Sequence, residues 1–229
     1  MARTELHSIV FVVDDDISIR KALARLMTSA GYTVRTFASA REFLDSGHLQ
    51  DSPACVVLDI RMPGLSGLDL QQELKAFTPP LPIIFITGHS DVATSVRAMK
   101  DGAIDYLTKP FDDEDLLTIV AQALARNAHD RVNYAGLCEL RRRAASLTPR
   151  EREVMSLVVH GLLNKQVGAE LGTVEKTIKV HRARVMEKMG VTSLAELVRA
   201  AEKLGVFEAD TEFVAAHPAR PAPPLPRHV

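Results

Sequence analysis

VVDDD at residues 12–16 and VVLDIRMPG at residues 56–64 decide how this chain folds. Each closes a short apolar run with carboxylates, as a buried strand does when its last residues emerge into a loop. In an open α/β sheet the carboxyl ends of parallel strands lie side by side, and ligands bind there. Asp14, Asp15 and Asp59 are therefore expected to crowd into one acidic site. Like charges that close repel unless a cation sits among them. The pattern predicts a divalent metal beside one nucleophilic carboxylate.

Strand and helix signals alternate outward from these runs. Strands are predicted over 8–13, 33–37, 54–59, 83–87 and 104–108. Helices are predicted over 18–30, 40–44, 68–77 and 92–100, with a last one opening at the acidic run Asp112-Asp113-Glu114-Asp115, which suits a helix N-terminus. The alternation predicts a doubly wound, five-stranded parallel sheet, and among the doubly wound orders the flavodoxin-like 2-1-3-4-5 is the one expected. The last helix is expected to lengthen, turning basic at Arg131, Arg141, Arg142 and Arg143, and to merge into a linker. Ser146-Leu147-Thr148-Pro149 then marks a fresh start, with Thr148 as N-cap, Pro149 in the first turn and Glu151 closing a capping box. Four short helices follow, over 149–160, 164–171, 175–189 and 193–204. The expected organisation is an α/β domain over 1–124, a helical linker over 125–146, an all-α four-helix domain over 147–205, and a Pro-rich tail over 206–229 that is extended or disordered.

The 229 residues are enough for two cores. A net charge of −1 hides an asymmetry: residues 1–124 hold 11 Lys+Arg against 17 Asp+Glu, while residues 147–205 hold 10 against 7. The two halves are thus expected to meet different partners. No apolar run reaches the ~20 residues that span a bilayer, and MARTELHS has no signal-type apolar region. Cys55 and Cys138 lack disulfide or metal spacing. A cytoplasmic protein with no membrane partner is the expectation.

The chemistry at the strand ends is specific. A carboxylate such as Asp59 can accept a phosphoryl group as an acyl phosphate, a transfer that depends on positioning and charge neutralisation. Asp14 and Asp15 supply the hard oxygens that Mg²⁺ prefers. Thr87, ending the fourth strand, can donate its hydroxyl to a phosphoryl oxygen. Lys109, ending the fifth, can pair with another, and Lys109-Pro110 is a candidate cis bond. Each residue alone has a plainer explanation as a cap, strand filler or solvated charge; their convergence on one sheet end argues otherwise. In the rear domain, residues 164–183 read as helix, tight turn at Gly172, helix. The second helix carries Lys176, Lys179, His181, Arg182 and Arg184, with Ile178, Val185 and Met189 on its inner side. Such a helix can enter the DNA major groove, although a basic amphipathic helix by itself is often only a solvated face.

Residues 8–124 resemble a bacterial two-component receiver domain: VVDDD, LDIRMPGLSG, FITGH and DYLTKPF stand in that family's order and spacing. LTPREREVMSLVVHGLLNKQVGAELGTVEKTIKVHRARVMEKMGVTSLAELV resembles the four-helix LuxR-type domain. The whole resembles a response regulator of the NarL/FixJ class, nearest its FixJ-like branch. The resemblance implies Asp59 as phosphorylation site, with Asp14, Asp15, Asp59 and the Arg61 backbone carbonyl around Mg²⁺. It implies Thr87 and Tyr106 as a switch pair, and leaves His89 as a loop histidine that could tune phosphoryl lifetime. In the rear domain it implies base contacts from Lys179 and Val180, and phosphate or base contacts from Thr177, Arg182 and Arg184; Ala183 stands where NarL-like proteins carry a second lysine. The function so implied is a DNA-binding transcriptional regulator, activation being the family-level expectation. A sensor histidine kinase, a double-stranded DNA operator and a homodimer formed on phosphorylation are its partners, with RNA polymerase a candidate. It is not expected to be an enzyme. An aspartyl-phosphate phosphatase is the rival, but Arg61 stands where a haloacid-dehalogenase-type enzyme needs a second Asp. A receiver acting only as a phosphate-independent dimerisation scaffold is a further alternative.

Overall fold

Five short strands build one parallel sheet in the computed structural model, which describes residues 8–47, 52–88 and 91–206. They are β1 (Ile9–Val13), β2 (Thr33–Phe37), β3 (Ala54–Asp59), β4 (Ile83–Thr87) and β5 (Asp105–Thr108), in the order β2-β1-β3-β4-β5 expected of the doubly wound fold. Between them lie α1 (Ile17–Ser29), α2 (Ala40–Asp45), α3 (Gly67–Leu74) and α4 (Val92–Lys100). After β5, α5 (Asp113–Ala145) runs 33 residues without a break, so the segment expected as a linker is helical up to Ala145. Four helices follow: α6 (Pro149–Val159), α7 (Asn164–Glu170), α8 (Glu175–Met189) and α9 (Leu194–Lys203). The chain divides into two compact units between Tyr134 and Ala135. The Pro-rich tail beyond Val206 and His89 lie outside the described residues.

In the first unit every residue of β1, β3 and β4 is buried, which explains their unbroken apolar runs: a parallel sheet covered on both faces has no polar side. Alternate side chains feed two cores. Phe11, Val13, Val56, Leu58 and Phe85 meet Phe43 of α2, Leu70 and Leu74 of α3 and Ala98 of α4. Val10, Val12, Val57, Ile84 and Ile86 meet Leu23 and Met27 of α1 and Leu116, Val120 and Ala123 of α5. Cys55 lies in the second core, where burial pushes its thiol up to about 12 and keeps it inert. At the sheet end away from the acidic loops, buried Asn127 of α5 accepts from the Ala54 amide at 3.0 Å and donates to the Pro80 carbonyl at 3.0 Å. It locks α5 to the starts of β3 and β4.

One helix is shorter than its sequence pattern. α3 ends at Leu74 rather than at residue 77. The amides of Lys75, Ala76 and Phe77 bond instead to the carbonyls three residues back, at 3.1–3.3 Å. Thr78-Pro79-Pro80 follows, and a residue before proline is driven out of the helical region, so the last turn tightens and stops.

The second unit closes its own core around Val154, Leu157, Val158, Val167, Ile178, Val185, Met189 and Leu197. Thr148 caps α6 through the expected capping box with Glu151. Glu151 does more than cap. It is 2% exposed, and its Oε2 accepts from the Lys188 ammonium at 2.6 Å. Lys188 also donates to the Ser146 carbonyl at 3.2 Å. The start of α6 is thereby fastened to the last turn of α8. The Lys188 hydrogen bond, followed by the Thr148 amide, holds the Glu151 carboxyl down to about 2.

Glu151→Gln is expected to cost the second unit about 1.5–3 kcal/mol, the value of a hydrogen bond to a charged group, measured by denaturant unfolding. A depressed carboxyl stabilises the fold above its unfolded pKa, about 4.3, and that contribution fades as pH falls towards about 2. The wild type should therefore lose stability more steeply than the Gln variant over that window. Parallel pH profiles would show that the pair contributes nothing.

Candidate functional site

The acidic loops converge at the carboxyl end of the sheet, and Lys109 is what joins them. Its Nζ lies 2.7 Å from Asp14 Oδ2 and 3.1 Å from Asp59 Oδ1. Each carboxylate is oriented by its own loop. Asp14 Oδ1 accepts from the Asp16 amide at 2.8 Å, and Asp59 Oδ2 from the Arg61 amide at 3.1 Å. Lys109 is set in turn by its own amide, which donates to the Thr87 carbonyl at 2.7 Å. The Lys109-Pro110 bond is cis, as anticipated.

Asp14 and Asp59 are buried, at 1% and 6% exposure, whereas Asp15 is exposed. Asp16 serves locally, capping α1 by accepting from the Ser18 and Ile19 amides. Desolvation raises the Asp59 carboxyl above the usual range; the Lys109 hydrogen bond and charge oppose this, and the Asp14 charge adds to it. Desolvation pulls Lys109 down, but Asp14 first and Asp59 next outweigh it and raise the ammonium. Lys109 is thus firmly protonated and holds two carboxylates that repel each other.

No group of three or more His, Cys, Asp or Glu among the described residues is gathered as a ready metal cage. The donors nonetheless suit a hard cation: two buried carboxylates already share one positive partner, an exposed Asp15 stands next to Asp14, and the Arg61 backbone sits beside Asp59. Magnesium takes such sparse oxygen sets and fills the rest with water or phosphate oxygens.

Thr87 is buried at the end of β4. Tyr106 is half-buried on β5 and packs against the core that contains Phe85. In the β4–β5 register Phe85 faces Tyr106 and Thr87 faces Thr108, so Thr87 and Tyr106 are diagonal neighbours on one face of the sheet. Gly67 is a site residue that the sequence pattern did not single out. α3 begins against the Asp59 backbone, where a Cβ at Gly67 would overlap the Asp59 carbonyl oxygen. The Gly67 amide donates to the Ile60 carbonyl at 3.0 Å. Only the Gly64 and Gly67 spacing after Asp59 could have signalled so close an approach.

The second unit presents the expected helix pair. Gly172 makes the turn with φ +63°, and the Thr173 amide returns to the Gly168 carbonyl at 2.8 Å. Ile178, Val185 and Met189 seat α8 in the core. Lys176, Lys179, Val180 and Arg184 are exposed, and Thr177 and Arg182 are half-buried. Two of these have partners within the unit. Arg182 donates to Asn164 Oδ1 of α7 at 3.2 Å, which ties the two helices together and leaves other guanidinium donors available. Lys179 pairs with Glu175 at 3.0 Å, one turn away.

Known proteins share this arrangement. Residues 10–121 match the family described as response regulator receiver domain, and residues 145–201 match the bacterial regulatory proteins of the luxR family. Nodulation protein W of Bradyrhizobium diazoefficiens is 50% identical over 90% of both chains. The transcriptional regulatory protein FixJ of Azorhizobium caulinodans is 45% identical over 88% of this chain and 95% of its own. The solved structure of the response regulator StyR superimposes with a TM-score of 0.76 at 47% identity, covering 86% of this chain and 99% of that one.

Gly67→Ala is expected to force α3 off the Asp59 backbone and to cost the first unit about 1–3 kcal/mol, as overpacking does. Gly136→Ala, in the part of α5 that belongs to the second unit, is the contrasting case: that helical glycine has nothing within 4 Å of an added Cβ, and alanine there should stabilise the second unit by about 0.5–1 kcal/mol. Thermal unfolding of the two variants should move in opposite directions.

Proposed function

The chain belongs to the response regulators that join a receiver domain to a LuxR-type DNA-binding domain, within the NarL/FixJ class, and on that premise we propose that Asp59 is the phosphoryl acceptor that switches operator binding. It is a transcriptional regulator of a two-component system. The observation that carries the proposal is Lys109 spanning Asp14 and Asp59 at 2.7 and 3.1 Å: a buried nucleophile, a neighbouring carboxylate and one cation positioned for both.

In the proposed reaction an Asp59 carboxylate oxygen attacks the phosphorus of a phosphohistidine on a sensor histidine kinase. An O–P bond forms as the N–P bond breaks, and the freed imidazole leaves with the electron pair and takes up a proton. The Arg61 amide holds Asp59 Oδ2, so Oδ1, beside Lys109, is the oxygen presented. Lys109 has three donors and can pass one to a phosphoryl oxygen while Asp14 retains another. Asp14, Asp15, Asp59 and the Arg61 carbonyl would hold Mg²⁺, which when bound neutralises charge on the phosphoryl oxygens. The reaction modifies the protein once per activation and is not a turnover.

The Thr87 hydroxyl then donates to the phosphoryl group, and Tyr106, its diagonal neighbour, turns into the space Thr87 leaves. This shifts the population towards a form that pairs through α4, β5 and α5 as a homodimer. A symmetric dimer places two α8 helices on two half-sites of a double-stranded operator. Lys179 and Val180 are the proposed base readers, with Thr177, Arg182 and Arg184 on phosphates or nearby bases and Lys176 a further DNA contact. Activation through RNA polymerase and a cytoplasmic location go with this proposal. Among the described residues no helix is long and apolar enough to cross a membrane.

Asp59→Asn should abolish dimerisation on treatment with acetyl phosphate and Mg²⁺, followed by analytical ultracentrifugation; a variant that still dimerises on treatment would contradict the switch. Lys179→Ala should weaken operator binding by about tenfold or more, in line with loss of one specific base contact, while leaving acyl-phosphate formation unchanged. Wild-type affinity in a gel-shift titration would remove Lys179 from the interface.

A further inference from the structure

Glu175 opens α8 with an exposed carboxylate, an unusual charge to find on a helix meant for a polyanion. It is the first residue of that helix, and its Oε1 lies 3.0 Å from Lys179 Nζ. Its side chain is 46% exposed and that of Lys179 is 64% exposed. An exposed pair of this kind contributes little to stability, so the ion pair alone does not explain the residue. An acid in the first helical turn also suits the macrodipole, which is the plain structural role against which a recognition role must be weighed.

The position of the carboxylate decides between phosphate and base. Were Lys179 a phosphate contact, Glu175 would be carried against the DNA backbone, where like charges repel. Over base edges the same pair is complementary. In the major groove cytosine presents its N4 amino donor, which a carboxylate accepts, and guanine presents the O6 and N7 acceptors, to which an ammonium donates. One C·G pair offers both sets across a single step. The N-terminal residues of a recognition helix are those that reach base edges, and both side chains lie within its first five residues.

We propose that Glu175 is a specificity-determining residue that reads cytosine together with Lys179 on guanine, so that each half-site carries one C·G pair set by this ion pair. The inference rests on the reading of α8 as the DNA-recognition helix. The free protein holds the two groups together, and binding exchanges their mutual hydrogen bond for one to each base. Removing the carboxylate leaves the exposed amino group of cytosine without its acceptor, and it also lifts a repulsion that discriminates against phosphate-only binding.

The test is selection from a pool of duplexes with randomised half-sites, using full-length phosphodonor-treated wild type, Glu175→Ala and Lys179→Ala. Wild type should enrich a motif with a C·G pair at a fixed step of each half-site. Glu175→Ala should enrich the same motif with the C·G preference at that step reduced about five- to tenfold, and should bind unrelated duplex more tightly than wild type. Lys179→Ala should relax the same step. Enrichment by Glu175→Ala with wild-type preference at every step would overturn the inference and leave Glu175 its helix-end role, which affects stability and not base choice. If wild type enriches no motif, the recognition-helix reading itself fails, and this inference fails with it.

Discussion

One ammonium between two carboxylates organises the receiver unit. Asp14 comes from the end of β1, Asp59 from the end of β3, and Lys109 from the end of β5 on the far side of β4. Without Lys109, two buried carboxylates would face each other in a desolvated pocket with no positive charge between them. With it, they stay close enough to share a phosphoryl group or a hard cation. The Lys109 amide is fixed to Thr87, so the charge that steadies the acids is hung on the same strand end as the hydroxyl proposed to respond to phosphate.

Much of this was legible in the sequence because the physics is local and repeated. Apolar runs ending in Asp14, Asp59 and Thr87 all mark the same feature, a buried strand emerging at one end of a parallel sheet, while Lys109 follows the half-buried β5 at that same end; the strand order came from the doubly wound fold type. The Thr148-Pro149-Glu151 signature placed α6 because capping needs only neighbours. Other features depend on partners distant in sequence. Nothing near Asn127 announces that a polar helix residue is buried to hold Ala54 and Pro80. Nothing near Lys188 announces that it reaches Glu151, 37 positions back. Gly67 looks like any loop glycine until α3 is seen resting on the Asp59 carbonyl.

The candidate site was less legible in its division of labour. Three consecutive aspartates suggest equal roles, yet Asp14 is buried with Lys109, Asp15 is exposed and Asp16 caps α1. The basic residues of α8 likewise separate once their partners are known. Arg182 braces α7, Lys188 anchors the far end of the helix, and Lys179 is held by an acid one turn away. Charge counted along a sequence does not distinguish a bracing cation from one left to face a ligand.

The way α8 is seated has an evolutionary consequence. Ile178, Val185 and Met189 hold its inner side, and Gly190 ends it in a left-handed turn, so the outward positions 176, 179, 180, 183 and 184 bear none of the core packing. Duplicated copies of such a gene could exchange those residues freely without unsettling the domain. Regulators of one scaffold could then diverge to different promoters by a few codons, while the receiver half remains as it was inherited.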